Sequence, residues 1–120
     1  MQASHGETIV ASGAAEANAL GLTTQVPIRE VYLTSGRSRR FKLGNREIEF
    51  KHGARWQLAM GKRPAGRVLR ALMWLGPECA PAALQQLRET LPQAEWQVLH
   101  RARATLPSWM ARAVSEAMGG

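Results

Sequence analysis

No aspartate occurs anywhere in the 120 residues; all nine acidic side chains are glutamates. That absence removes the usual third member of a Ser–His–acid set and the usual upstream acid of a nuclease Mg²⁺ pocket. A single cysteine, Cys79, excludes an internal disulfide and suits a reducing compartment. His5, His52 and His100 are scattered, and with Cys79 they make no zinc-ligand spacing. No G-x-x-x-x-G-K-[ST] phosphate loop is present. No basic-then-apolar leader opens the chain, and its longest apolar run, Ala71 to Leu75, is far short of the ~20 residues a membrane helix needs. The expectation is a cytoplasmic, non-enzymatic domain with no catalytic residues, no metal, no cofactor and no membrane contact.

Positive charge is what the chain has in excess. Sixteen Lys and Arg give a net charge of +7 and a pI near 11.1, while 45% hydrophobic residues and a mean hydropathy of −0.26 describe a folded chain. Between Arg29 and Arg70 stand twelve Lys/Arg against three Glu, a balance of +9, and the remainder carries −2. That segregation exceeds what solubility asks for and points to an acidic partner, nucleic acid or protein. The length allows one domain with a real core. It is expected over residues 8–118 behind a tail at 1–7, β-rich at 8–52 and helical at 64–118.

The β-rich part reads as a short strand in "ETIVAS", an Ala-rich helix "GAAEANALGL" stopped by Gly21, and a second strand in "VPIREVYLTSG". There Ile28, Val31 and Leu33 alternate with polar neighbours. Gly44-Asn45 between two alternating runs is a two-residue hairpin signal. It sets Leu43 opposite Arg46, Phe41 opposite Ile48 and Arg39 opposite Phe50, so Phe41, Leu43, Ile48 and Phe50 share a face expected to be the core face. The other face sets Lys42 against Glu47 and Arg40 against Glu49, opposite-charge pairs that stabilise a ladder by roughly 0.2–1 kcal/mol each. Glu49-Phe50-Lys51 also matches the E-x-K half of a restriction-nuclease-like site. With no Asp to complete it, and with Arg40 opposite Glu49, the cross-strand pair is the better reading.

Four helices follow, with Pro64, Pro81, Pro92 and Pro107 at their first turns, where a missing N–H costs little. In the first of them Arg63, Arg67, Arg70 and Trp74 fall at i, i+4, i+7 and i+11 and so form one stripe. Val68, Leu69, Leu72, Met73 and Gly76 lie opposite, the natural core face. A tryptophan among arginines suits nucleic-acid stacking or cation–π packing; cover by the C-terminal helices is the structural alternative. Hairpin and helix together make the expected binding surface for nucleic acid or another acidic partner: Arg39, Arg46, Lys51, Arg55, Arg63, Arg67, Arg70 and Trp74. The fold class is α+β, a small and mainly antiparallel sheet with an early helix and a helical C-terminal half.

Four segments carry a family resemblance: "SGAAEANALGLTTQVP" at 12–27, "VYLTSGRSRR" at 31–40, "LGNREIEFKH" at 43–52 and "RPAGRVLRALMWLG" at 63–76. Together they resemble the C-terminal domain of the AbiEi-like abortive-infection antitoxins of type IV toxin–antitoxin systems, over about Thr8 to Met118. The resemblance implies a bacterial, non-enzymatic antitoxin or regulator domain that counters a nucleotidyltransferase-like toxin. It implies no stable toxin complex and no catalytic residues. Members of that family typically carry an N-terminal winged helix-turn-helix, and too few residues precede the first strand here to hold one. The chain is therefore expected to be either a fragment or a solo domain. A stand-alone DNA- or RNA-binding module is the alternative function.

Overall fold

The computed structural model describes residues 6–26 and 29–119. Ile28 and most of the expected N-terminal tail lie outside the described residues. Along the chain run β1 (Ile9–Ala11), α1 (Gly13–Ala19), β2 (Glu30–Thr34), β3 (Arg39–Leu43), β4 (Arg46–His52), α2 (Arg55–Leu58), α3 (Pro64–Leu75), α4 (Ala80–Gln86) and α5 (Gln93–Arg101). A 3-10 turn (Ala102–Thr105) and α6 (Ser108–Ala117) complete the order. The architecture is α+β, as the sequence indicates.

Every expected hairpin pair forms: Arg39 with Phe50, Arg40 with Glu49, Phe41 with Ile48, Lys42 with Glu47 and Leu43 with Arg46. Gly44 takes φ +62° while no described non-glycine residue takes a positive φ, as a turn with glycine at its first central position requires. The strand order is β1-β2-β4-β3, with β4 parallel to β2 and the other pairings antiparallel. β4 is thus central and β3 is an edge.

That order corrects one expectation. Ile48 and Phe50, on the central strand, are buried, but Phe41 and Leu43 on the edge strand are 36% and 51% exposed. Facing the same side does not bury a residue when no further strand flanks it. Phe41 and Tyr32 pack edge-on against Phe50, at 5.4 and 5.8 Å between ring centroids. Arg40 and Lys42 on the edge discourage pairing with another edge of the same kind. Arg40 reaches both Glu47 and Glu49, at 3.5 and 3.6 Å.

In the helical half the core gathers Val68, Leu69 and Leu72 of α3 with Leu84, Leu87, Leu91, Trp96, Leu99, Met110 and Val114. Pro64 and Pro81 lie in first turns, whereas Pro92 and Pro107 stand one step earlier, at the N-caps of α5 and α6. Gly21 and Gly76 follow α1 and α3 with φ +75° and +90°, left-handed positions that suit glycine.

α3 is covered on two sides, which the helical wheel alone does not foresee. α1 lies along the Arg67–Arg70–Trp74 side. A Cβ added at Gly13 would meet the Arg70 carbonyl oxygen at 2.5 Å and the Trp74 Cβ at 2.8 Å, so only glycine allows this approach. Glu16 then reaches inward to Arg70 and Arg67, at 2.7 and 3.0 Å. Met73, placed on the core face by its spacing, is instead 44% exposed.

Candidate functional site

Six of the glutamates decide which cations are free. Arg39 pairs with Glu7 at 2.8 Å, donates to the Arg37 carbonyl oxygen at 3.0 Å and lies 4.6 Å over the Phe50 ring. Glu7, assigned to a tail by sequence, also accepts from the Thr34 hydroxyl, and Gly36 leaves room for its carboxylate. Arg46 holds Glu30 through two hydrogen bonds, at 2.9 and 2.6 Å. Arg63 holds Glu95 the same way at 3.1 and 3.0 Å, and the Ala65 N–H donates to that carboxylate at 3.0 Å. Arg67 and Arg70 share Glu16, and Arg70 also donates to the Gln57 carbonyl oxygen at 3.0 Å.

These contacts set protonation. Arg46's hydrogen bonds hold the Glu30 carboxyl below its ordinary range, and Glu30 raises the guanidinium in return. Glu95 is lowered by the hydrogen bonds from Arg63 and then by the Ala65 N–H, and Arg63 is raised. The pairs are structural ties, and three of their carboxylates, Glu7, Glu16 and Glu95, come from outside the basic segment.

The expected single basic face is therefore not what forms. Arg70 is 1% exposed and cannot meet a partner; α1 covers the side of α3 that carries it. Arg39, Arg46, Arg63 and Arg67 are engaged by glutamates. Arg46 opens β4 and Arg55 opens α2 just beyond the strand's far end, and the seven residues of β4 span about 20 Å at ~3.3 Å each. No arginine lies over Trp74 among the described residues; the cation over a ring is Arg39 over Phe50. Within the basic segment, the cations without an ion pair among the described residues are Arg29, Arg37, Lys42, Lys51, Arg55 and Lys62. Of the eight residues expected to form the surface, Lys51, Arg55 and Trp74 remain available.

These three divide between two hollows. Arg55 lines one beside Ser35 and His52, where the His52 Nδ1 lies 2.8 Å from the Gly36 carbonyl oxygen. Lys51 and Trp74 meet across a larger groove of about 600 Å³, between one face of the sheet and the α1–α3 pair. The strand alternation builds it. Val31 and Leu33 pair with Glu49 and Lys51 and so share their face, which turns Val31, Leu33 and Lys51 into the groove. Trp74, held at the end of α3 by the close approach of Gly13, stands 43% exposed along the groove, and Arg29 also lines it. No carboxylate lines this groove among the described residues.

Arg29, Val31 and Leu33 were not among the expected site residues. The two apolar ones alternate as core residues do, and only the position of β2 beside an open groove distinguishes them. Glu49 of the E-x-K triplet is occupied by Arg40, and no group of three or more His, Cys, Asp or Glu able to hold a metal exists among the described residues. No described helix is long and apolar enough to cross a membrane.

A model of a family of unknown function (DUF6088) matches residues 4–97, which spans the sheet, the groove and α3. No curated protein and no solved structure matches the chain.

Proposed function

The chain belongs to that family of unknown function, and we propose that it is a non-enzymatic regulator domain of the antitoxin type, acting through an anionic partner held at the Trp74 groove. The observation that carries this reading is the half-exposed indole of Trp74 with Lys51 and Arg29 lining the same groove, neither cation paired with a carboxylate among the described residues. An aromatic face with two uncompensated charges suits an anionic partner that also carries planar or apolar surface. The resemblance to AbiEi-like antitoxins supplies the biological role, the countering of a nucleotidyltransferase-like toxin in a bacterial cytoplasm. Antitoxins of that type act without a stable toxin complex, so the groove is left for a partner other than the toxin.

Co-expression with the nucleotidyltransferase-like toxin of a neighbouring reading frame tests this. Wild type should restore growth, Arg29→Glu/Lys51→Glu should not, and Arg88→Glu, an exposed cation outside the groove, should behave as wild type. Failure of the wild-type chain to restore growth would contradict the antitoxin role. The alternative, a stand-alone DNA- or RNA-binding module, uses the same groove and predicts strand binding without growth rescue.

A further inference from the structure

We propose that the groove takes single-stranded nucleic acid, with one base stacked on Trp74 and the flanking phosphates held by Lys51 and Arg29. This rests on the reading of the groove as the working surface and adds the chemistry of its occupant. Three observations select that occupant. The indole, 43% exposed, faces a space that Val31 and Leu33 also line, so the groove offers a flat aromatic surface with aliphatic neighbours. Such surfaces take bases of any sequence, because every base has a π face. Lys51 and Arg29 supply positive charge in a lining that contains no carboxylate among the described residues, which is complementary to a phosphodiester chain.

Size supplies the third argument. About 600 Å³ lies within the roughly 300–1,000 Å³ typical of small-ligand clefts, enough for an unstacked nucleotide and far too little for a duplex. Bases inside a duplex are also stacked on each other and cannot lie on an indole. An acidic peptide satisfies the cations but leaves the indole without a planar partner. Gln25 also lines the groove, and its side chain carries the two donors and the acceptor that an amide can offer to a base edge.

The test compares a fluorescently labelled ten-nucleotide single strand (RNA and DNA) with its duplex, with an abasic strand of equal length and with an oligoglutamate, by anisotropy at low salt. Expected is single-strand binding that exceeds abasic binding by about five- to a hundredfold, the worth of one stacked base. Trp74→Ala should abolish that advantage, Trp74→Phe should restore part of it, and Lys51→Glu should weaken normal and abasic strands alike. Quenching of tryptophan emission by the strand should be present in wild type and reduced in Trp74→Phe, a readout that stands even if Trp74→Ala does not fold. Equal binding of normal and abasic strands, preference for duplex, or oligoglutamate binding as tight as the strand would each overturn the proposal. Growth rescue is scored separately: rescue without strand binding sinks this proposal alone, and strand binding without rescue sinks the antitoxin role alone.

Discussion

Arg70 donates to Glu16 at 2.7 Å across 54 residues of sequence, and both side chains are interior, at 1% and 7% exposure. The pair ties α1 to α3, and the Gln57 carbonyl oxygen brings in α2 through the same guanidinium. The Arg70 Nε is the one buried side-chain polar atom without a partner among the described residues. An arginine that looked like part of a binding stripe is a joint of the fold.

Truncating the carboxylate leaves that guanidinium buried without a counter-charge. Glu16→Ala should cost about 3–5 kcal/mol, and Glu16→Leu/Arg70→Met, which removes both charges, should recover most of it. Urea denaturation of the three proteins reads the difference; a mild Glu16→Ala would show that the triad carries little.

Gly13 tests the same joint sterically. A Cβ 2.5 Å from a backbone oxygen cannot be absorbed by side-chain movement, so Gly13→Ala should splay α1 from α3 and destabilise by roughly 1–3 kcal/mol. Because Trp74 is the other neighbour, its emission should shift as well.

Glu95 gives the chain an acid-sensitive tie. Its folded carboxyl is lowered from the ordinary 4.5, chiefly by Arg63, so folding favours the ionised form. The sign follows from linkage: the stabilisation is full above the ordinary value and is lost as pH falls through the lower, folded one. Denaturation midpoints should therefore fall on acidification below about pH 4.5, and Glu95→Gln should flatten that part of the profile.

The edge-strand correction can be checked by substitution. Leu43→Thr should change stability by less than about 1 kcal/mol, since half the side chain already meets water. Ile48→Ala, on the same face but on the central strand, should cost about 2–5 kcal/mol.

Much of the architecture was readable from local chemistry. Gly44-Asn45 and the alternation around it specify all five hairpin pairs, and Gly21 and Gly76 mark where helices stop, because these signals act within a few residues. What escaped the sequence was set by contacts across it. The insertion of β4 between β2 and β3 exposes Phe41 and Leu43, and nothing in the hairpin's own residues encodes it. The +9 segment looked like one face because charge along a chain does not reveal which glutamates fold back onto it, as Glu7, Glu16 and Glu95 do. Of the expected residues, Trp74 and Lys51 line one groove, and Arg29 is seen to line it too only once the strands are placed.

The most direct test of the account is the salt dependence of single-strand binding in three proteins. If the unpaired cations of the groove are the working charges, log affinity should fall linearly with log salt, and Lys51→Ala should reduce the slope by roughly 0.7 to 1. Arg63→Ala, which removes a guanidinium already held by Glu95, should leave the slope unchanged. A slope that drops with Arg63→Ala and not with Lys51→Ala, or no binding at low salt, would contradict it.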